Sequence, residues 1–288
     1  MQPIVLGVIA GSIYALVAAG VALVYKATRV LNFAQAEVGT LSLYATWWIS
    51  TRHHQPWVVG AAASIVVATL IGLLFERFII RSMLTASRVT VSVATIGLFS
   101  LMVAVELALF AGTVYLVPPP LARGGVTIAG VYVNASQWLA LGVVLAVAAA
   151  LAAFLRFTDF GLAVQASADD PVAAQLMGAP RARISAFTWG MAGALSAVAV
   201  LLIEPTVGVL APGAFAGLFI GGLTAALVGG LDSLPGAFVG GLVVGVAEAE
   251  VKAHVTIHAI PSFQTAAMLI IVLAVLLLRP RGILGQHA

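Results

Sequence analysis

The chain has 288 residues, of which 62% are hydrophobic and only 8% are Asp, Glu, Lys or Arg, with a mean hydropathy of +1.15. Soluble domains carry roughly 25% charged residues, and 13 basic and 10 acidic side chains on 29.4 kDa cannot make a water-facing surface, so an ordinary soluble domain is excluded and an integral membrane protein remains. A net charge of +3 spread this thinly does not suggest nucleic acid, and the lack of cysteine excludes disulfides, thiolate nucleophiles and Cys-ligated metal centres.

A helix needs about 20 mostly apolar residues to cross roughly 30 Å of hydrocarbon. That length predicts spans over 3–25, 31–50, 56–75, 89–111, 137–155, 184–203, 214–231, 236–251 and 263–279. The expected fold class is therefore an all-α membrane protein, a polytopic helical bundle of about eight to ten crossings in a single transmembrane domain over 1–288. The first apolar run has no basic residue before it and reads as a retained span rather than a cleaved signal. The Gly-rich stretch 214–251 has room for a re-entrant segment.

Sidedness follows from the basic residues, which accumulate on the cytoplasmic side. With alternate connections inside, that side collects ten: Lys26, Arg29, Arg77, Arg81, Arg88, Arg156, Arg181, Arg183, Arg279 and Arg281; the other holds Arg52, Arg123 and Lys252. The expectation is a cytoplasmic (inner) membrane protein with its N-terminus outside, its C-terminus inside and an odd number of crossings, nine. Trp47, Trp48, Trp57 and Trp138 fall at the outer ends, as an interfacial aromatic belt requires.

Two connections are long enough to carry structure. The outer loop 112–136 has a Pro118-Pro119-Pro120 break, after which Val126, Ile128, Val131 and Val133 alternate around Ala129-Gly130 and predict a small β-hairpin. In the inner loop 157–183, Asp169 and Asp170 precede Pro171, Ala173, Ala174, Leu176 and Met177 follow, and Gly178 and Pro180 close the run. Acidic cap, Pro at the first position and Gly past the end punctuate a helix of about two turns, with the carboxylates at its positive end. A helix this short needs something to pack against. It either docks a cytoplasmic subunit or rests on the bilayer surface or its own bundle.

Ionisable residues inside a membrane are costly and point to function. Asn32, Gln35 and Glu37 read as a broken helix start lining a pathway, where unwound backbone offers its dipoles; the alternative is that Glu37 snorkels and pairs with Arg29 or Lys26. Glu106 sits deeper and either lines the same pathway or is hydrogen-bonded within the bundle or toward the outer vestibule. Glu248 and Glu250 read as facing water or the vestibule. Gly229, Gly230, Gly236, Gly240 and Gly241 serve close helix packing, or a hinge around Pro235. His254 and His258 lack a third ligand nearby, so no metal site is expected, and with no G-x-x-x-x-G-K-[ST] phosphate loop the chain has no P-loop ATPase site of its own. No catalytic constellation and no cofactor are expected; this is not an enzyme.

Several segments together resemble a known family. Val172-Ala173-Ala174-x-x-x-Gly178 is similar to the EAA-x-x-x-G loop of ABC-importer permeases. Leu31-Asn32-Phe33-Ala34-Gln35-Ala36-Glu37 is similar to the LNFAHGE segment of the branched-chain amino acid permease family, LivH-type. Val228-Gly229-Gly230-Leu231-Asp232-Ser233-Leu234-Pro235-Gly236-Ala237 with Gly240-Gly241 resembles its GG-x-x-S-x-PGA-x-x-GG signature, and Pro280-x-Gly282-Ile283-Leu284-Gly285 its ending. Val172 stands where the motif has Glu, and Gln35-Ala36 stand where it has His-Gly. The resemblance spans essentially the whole chain. It implies a permease half-channel for branched-chain or related small amino acids, with urea or short amides as the alternative substrates. The implied partners are a second homologous permease subunit, two cytoplasmic ATP-binding subunits and an extracytoplasmic solute-binding protein, with 169–178 as the coupling helix. The rival from another class is a stand-alone ion-coupled secondary transporter, for which Glu106 is the coupling candidate.

Overall fold

The computed structural model describes residues 2–83, 86–121, 124–128, 130–176, 178–179, 181–254, 270 and 282–284. The helices are α1 (Gln2–Thr28), α2 (Gln35–Thr46), α3 (Trp57–Phe75), α4 (Arg88–Phe110), α5 (Ala135–Phe157), α6 (Asp159–Asp169), α7 (Pro171–Leu176), α8 (Arg181–Val207), α9 (Ala216–Gly229) and α10 (Leu234–His254). Wider π turns extend α2 through Trp47–Arg52 and α3 through Glu76–Ile80, and a 3-10 turn carries the latter to Met83. Among the described residues, six segments are long and apolar enough to cross a membrane: Gln2–Thr28, Trp57–Met83, Arg88–Phe110, Ala135–Phe157, Arg181–Val207 and Leu234–His254. The chain is thus an all-α polytopic membrane protein with one small sheet. The predicted span 263–279 lies outside the described residues except for Ile270.

Burial separates centre from periphery. In the most apolar stretch of α1 and of α8, 72% of residues are buried; in those of α4 and α5 only 22% are. The outer helices present Val93, Leu101, Leu109 and Leu145 outward. No solvent cost attaches to these side chains in lipid, because hydrocarbon is as apolar as they are.

Without a hydrophobic drive between helices, close backbone approach must hold the centre together. The sequence supplies it. A Cβ built on Gly241 of α10 would stand 2.6 Å from the Gly11 carbonyl oxygen of α1, and one on Gly7 would stand 2.7 Å from the Val246 Cα. Gly229 and Gly236 seat α9 against α10 in the same way, while Gly72 and Gly193 seat α3 against α8. The glycines at 229, 236, 240 and 241 all stand at close backbone contacts. Pro235 is the second residue of α10, where its missing N–H costs nothing, and Ser233 caps that helix by accepting from the Gly236 N–H at 3.0 Å. Gly230, at φ +106°, ends α9.

The predicted hairpin forms β1 (Gly125–Ile128) and β2 (Val131–Asn134), antiparallel, with Val126 opposite Val133 and Thr127 opposite Tyr132. Val131 and Val133 turn inward onto Ile9 of α1. Asn134 then caps α5 through a reciprocal pair with Gln137, at 2.8 and 2.9 Å. At this hairpin end the 111–121 connection also pairs with the loop after α8, through Tyr115 and Leu210.

The seam between α1 and α10 has no room for a side chain, so Gly241→Leu is expected to lower thermal stability in detergent by about 2 kcal/mol or more. Gly97→Ala, at a position with nothing within 4 Å, should leave the unfolding midpoint essentially unchanged; equal midpoints for both variants would show that the seam is not tight.

Candidate functional site

The second predicted span, 31–50, does not run as one helix. α1 ends at Thr28, Arg29 takes φ 56°, and the chain returns into the bundle without regular structure until Gln35. Gln35 is at mid-depth: its Nε2 donates to the Val17 carbonyl at 3.0 Å, and its own carbonyl accepts from the Ser196 hydroxyl, both partners lying near the middle of 27-residue helices. Irregular backbone at that depth persists only where protein satisfies its polar groups. Thr95 of α4 does this, accepting from the Phe33 N–H at 3.1 Å and lying 3.0 Å from the Leu31 carbonyl. Asn32 Oδ1 accepts from the Ala34 N–H at 3.1 Å, so its acceptor shapes this turn.

Glu37 follows two residues into α2. The snorkelling reading is overturned: Glu37 is fully buried, and Arg29 pairs instead with Asp232 Oδ1, at 2.6 Å. The reason is depth. A helix that starts at mid-bundle carries its third residue further from the interface, not toward it. Glu37 Oε1 accepts from the Gly213 N–H at 3.1 Å, in the irregular segment before α9. Glu106, also fully buried, lies with its carboxyl close to that of Glu37. Among the described residues neither forms an ion pair with a basic side chain. Tyr44, two turns beyond Glu37, is within electrostatic reach of both carboxyls and stacks on Phe110 with ring centres 3.7 Å apart.

Asn32, Gln35, Glu37 and Glu106 are therefore brought together at the core, where two short helices, α2 and α9, begin. Tyr44, Thr95, Ser196 and Gly213 complete the cluster and were not singled out from sequence. Tyr44 had a signal, since it is seven residues from Glu37 and so on the same helix face; Gly213 and Ser196 arrive from distant sequence and had none.

The opposite end from the hairpin gathers the basic residues. Lys26, Arg29, Arg88 and Arg181 line one cavity of about 190 Å³, and Arg81 holds buried Glu76 through both carboxylate oxygens, at 2.9 and 3.3 Å, while reaching the Ala182 carbonyl. Arg29 also donates to the Ala168 carbonyl at 3.2 Å. Gly282 sits against Gly230, and the N–H groups of Ile283 and Leu284 donate to Val228 and Gly229. The 228–230 and 282–284 segments thus meet at this end.

The 157–183 loop differs from expectation. It holds two helices, not one: α6 ends at Asp169, and Asp170 caps α7, its Oδ1 accepting from the Ala173 N–H at 3.0 Å. The spacing of buried Gly161, Val164 and Ala168 was the missed signal for α6, whose start Thr158 caps by accepting from Gly161. In α7, which starts at Pro171, Ala174 is buried, Ala173 is exposed and Leu176 is 84% exposed. Gly178 stands at φ +89° with nothing near its Cβ position; Met177 lies outside the described residues.

The sequence matches the family described as branched-chain amino acid transport system, permease component, over residues 4–278. It is 30% identical to the high-affinity branched-chain amino acid transport system permease protein LivH of Escherichia coli K12, across 99% of this chain and 96% of that one. Identity is 33% to BraD of Pseudomonas aeruginosa over the same shares of the two chains. Among solved structures, PsaBC from Streptococcus pneumoniae in complex with Fab matches with a TM-score of 0.50 at 14% identity, covering 96% of this chain and 91% of that one; at that identity the likeness is one of fold.

The bond between Glu37 and Gly213 gives a direct expectation. Glu37→Ala leaves the part-buried Gly213 N–H without its acceptor and should cost about 1 kcal/mol, whereas Glu37→Gln keeps an acceptor oxygen and should cost less. Thermal unfolding of the two variants in detergent checks the order; Ala no worse than Gln would contradict it.

Proposed function

The chain belongs to the branched-chain amino acid transport system permease family, and we propose that it is the membrane-spanning permease subunit of an ABC importer for branched-chain or related small amino acids. It pairs with a second homologous permease, two ATP-binding subunits on the cytoplasmic side and an extracytoplasmic solute-binding protein. In this reading the basic end is cytoplasmic and the hairpin end, with the N-terminus, faces outward. The pathway runs past Asn32, Gln35, Glu37 and Glu106, where the starts of α2 and α9 place helix ends and irregular backbone at mid-membrane, as in transporters with discontinuous helices.

The observation that carries the coupling role is α7 itself: a helix of six residues, capped by Asp170, that leaves Leu176 almost fully exposed at the basic end. So short a helix with an exposed leucine suits a cleft in another subunit. Arg29 supports transmission inward, because one guanidinium holds both Ala168, at the end of α6, and Asp232, ahead of α10, and lies at the start of the segment leading to Gln35. Tilting α6 and α7 by ATP-driven closure strains these bonds, and the residues at 29–34 follow. Ligand shifts such states only by differential affinity, so ATP and loaded receptor favour different arrangements.

Leu176→Asp is expected to reduce ATP-dependent uptake of labelled leucine by the reconstituted complex about tenfold or more, with the protein still in the membrane. Unchanged uptake removes α7 from the ATPase contact. Transport by the lone chain in liposomes under an ion gradient would favour the ion-coupled reading, for which the Glu37–Glu106 pair is the supporting feature.

Sidedness has its own test, made clean by a cysteine-free chain. An impermeant maleimide applied to intact cells should label Tyr132→Cys on the exposed face of β2 and spare Leu176→Cys until the membrane is opened. The reverse pattern inverts the topology.

A further inference from the structure

A second cavity lies at the hairpin end, apart from the Glu37–Glu106 core. It measures about 410 Å³ and is enclosed by α1, the start of α5 and the last turns of α8 and α10, a size within the roughly 300–1,000 Å³ of small-molecule sites. One wall is aliphatic, formed by Ile9, Ile13, Leu202 and Ile203, all buried. The other carries Glu248 and Lys252, one turn apart on α10 and ion-paired to each other.

The pair is not an ordinary surface i,i+4 bridge, which is worth little and needs no cavity. Glu248 is 8% exposed, and its Oε2 accepts from the Tyr14 hydroxyl at 2.6 Å, which pins the carboxylate from α1. Lys252 is half exposed on its side chain and keeps the freedom of its four-carbon stem. An adjoining cavity of about 300 Å³ is lined by the same two residues, so the pair stands where both spaces meet. A held anion and a movable cation beside an aliphatic wall complement a molecule that carries both charges on adjacent atoms and an aliphatic branch. A lipid chain would use the wall but not the charges, and an anionic headgroup would face Glu248.

We propose that this cavity binds an aliphatic α-amino acid as its zwitterion, the ammonium on Glu248, the carboxylate on Lys252 and the side chain against Ile9, Ile13 and Leu202. Binding exchanges one internal ion pair for two with the ligand, so no charge is left unpaired in the enclosed space. The proposal rests on the permease reading and deepens it. With the hairpin end outward, the cavity is an entry subsite, filled before the mid-membrane core.

Equilibrium dialysis of labelled L-leucine against the purified full-length chain in detergent tests it. Saturable binding is expected. Unlabelled L-leucine and L-valine should compete; 4-methylpentanoate, which lacks the ammonium, and 3-methylbutylamine, which lacks the carboxylate, should compete at least about tenfold more weakly. Glu248→Gln and Lys252→Gln should each weaken leucine binding about tenfold or more, while Glu250→Gln, whose side chain pairs with His254 instead, should stay within about twofold. The analogue series needs no variant, so a misfolded substitution does not spoil the result. Absence of saturable binding, equal competition by either singly charged analogue, undiminished binding in both variants, or displacement by phospholipid alone overturns the proposal. The permease reading fails separately: it falls if the assembled wild-type complex shows no ATP-driven leucine uptake, whereas uptake together with undiminished binding in the Glu248 and Lys252 variants removes only this site.

Discussion

Backbone N–H and C=O groups at mid-membrane have no water to turn to, and this one constraint organises the molecule. The chain breaks regular structure twice at depth, before α2 and before α9, and each break must be satisfied by side chains of its own or of neighbouring helices. Thr95, Asn32 and Ser196 do so for the first, and Glu37 does so for the second by accepting from Gly213. The two irregular segments are therefore not independent. A carboxylate on one short helix holds the backbone that leads into the other, and the second buried carboxyl, Glu106, packs against it from α4.

Such an arrangement tolerates little slack. Side-chain hydrogen bonds in lipid are individually modest, so their geometry depends on the helices that carry the partners staying in register. The glycine seams supply that register. Where α1 meets α10 and α3 meets α8, backbones touch without intervening side chains, which brings Val17 and Ser196 close enough to grip the Gln35 amide and carbonyl. Gly20 shows the link most plainly: a Cβ there would collide with the Gln35 side chain. Packing and polar satisfaction are one device.

How much of this was legible in the sequence depended on whether the signal was local. The long apolar helices, the hairpin and the Asp170 cap rest on hydropathy, alternation and cap chemistry within a few residues, whereas the predicted span 31–50 is broken before Gln35. The short helix was recognised but its neighbour α6 was not, because an 11-residue helix with Gly161 in its first turn and moderate hydropathy resembles loop on composition. The depth of Glu37 was also hidden. From spacing alone it lies eight residues past Arg29, which suggested an interfacial pair; the intervening descent without helix, which consumes residues differently from a helix at 1.5 Å each, carried it inward. Gly213 and Tyr14 reach their carboxylates across 176 and 234 residues, and no local pattern encodes such contacts.

The scarcity of charge sharpens what remains. With 10 acidic residues in the whole chain, burying Glu37, Glu76, Glu106, Glu204 and Glu248 commits half of them to the interior, against the cost that hydrocarbon imposes on ionisable groups. Their partners sort them. Glu76 is held by Arg81 and steadies the α3–α8 corner, and Glu204 accepts from the Val117 backbone beside the Tyr115–Leu210 pairing. Those two are accounted for by local structure. Glu37 and Glu106 face each other without a cation among the described residues, and Glu248 faces a cavity with its cation on a mobile stem. Structural need explains the first two fully and the other three only in part, and it is to those three that the proposed pathway and the proposed subsite assign a role.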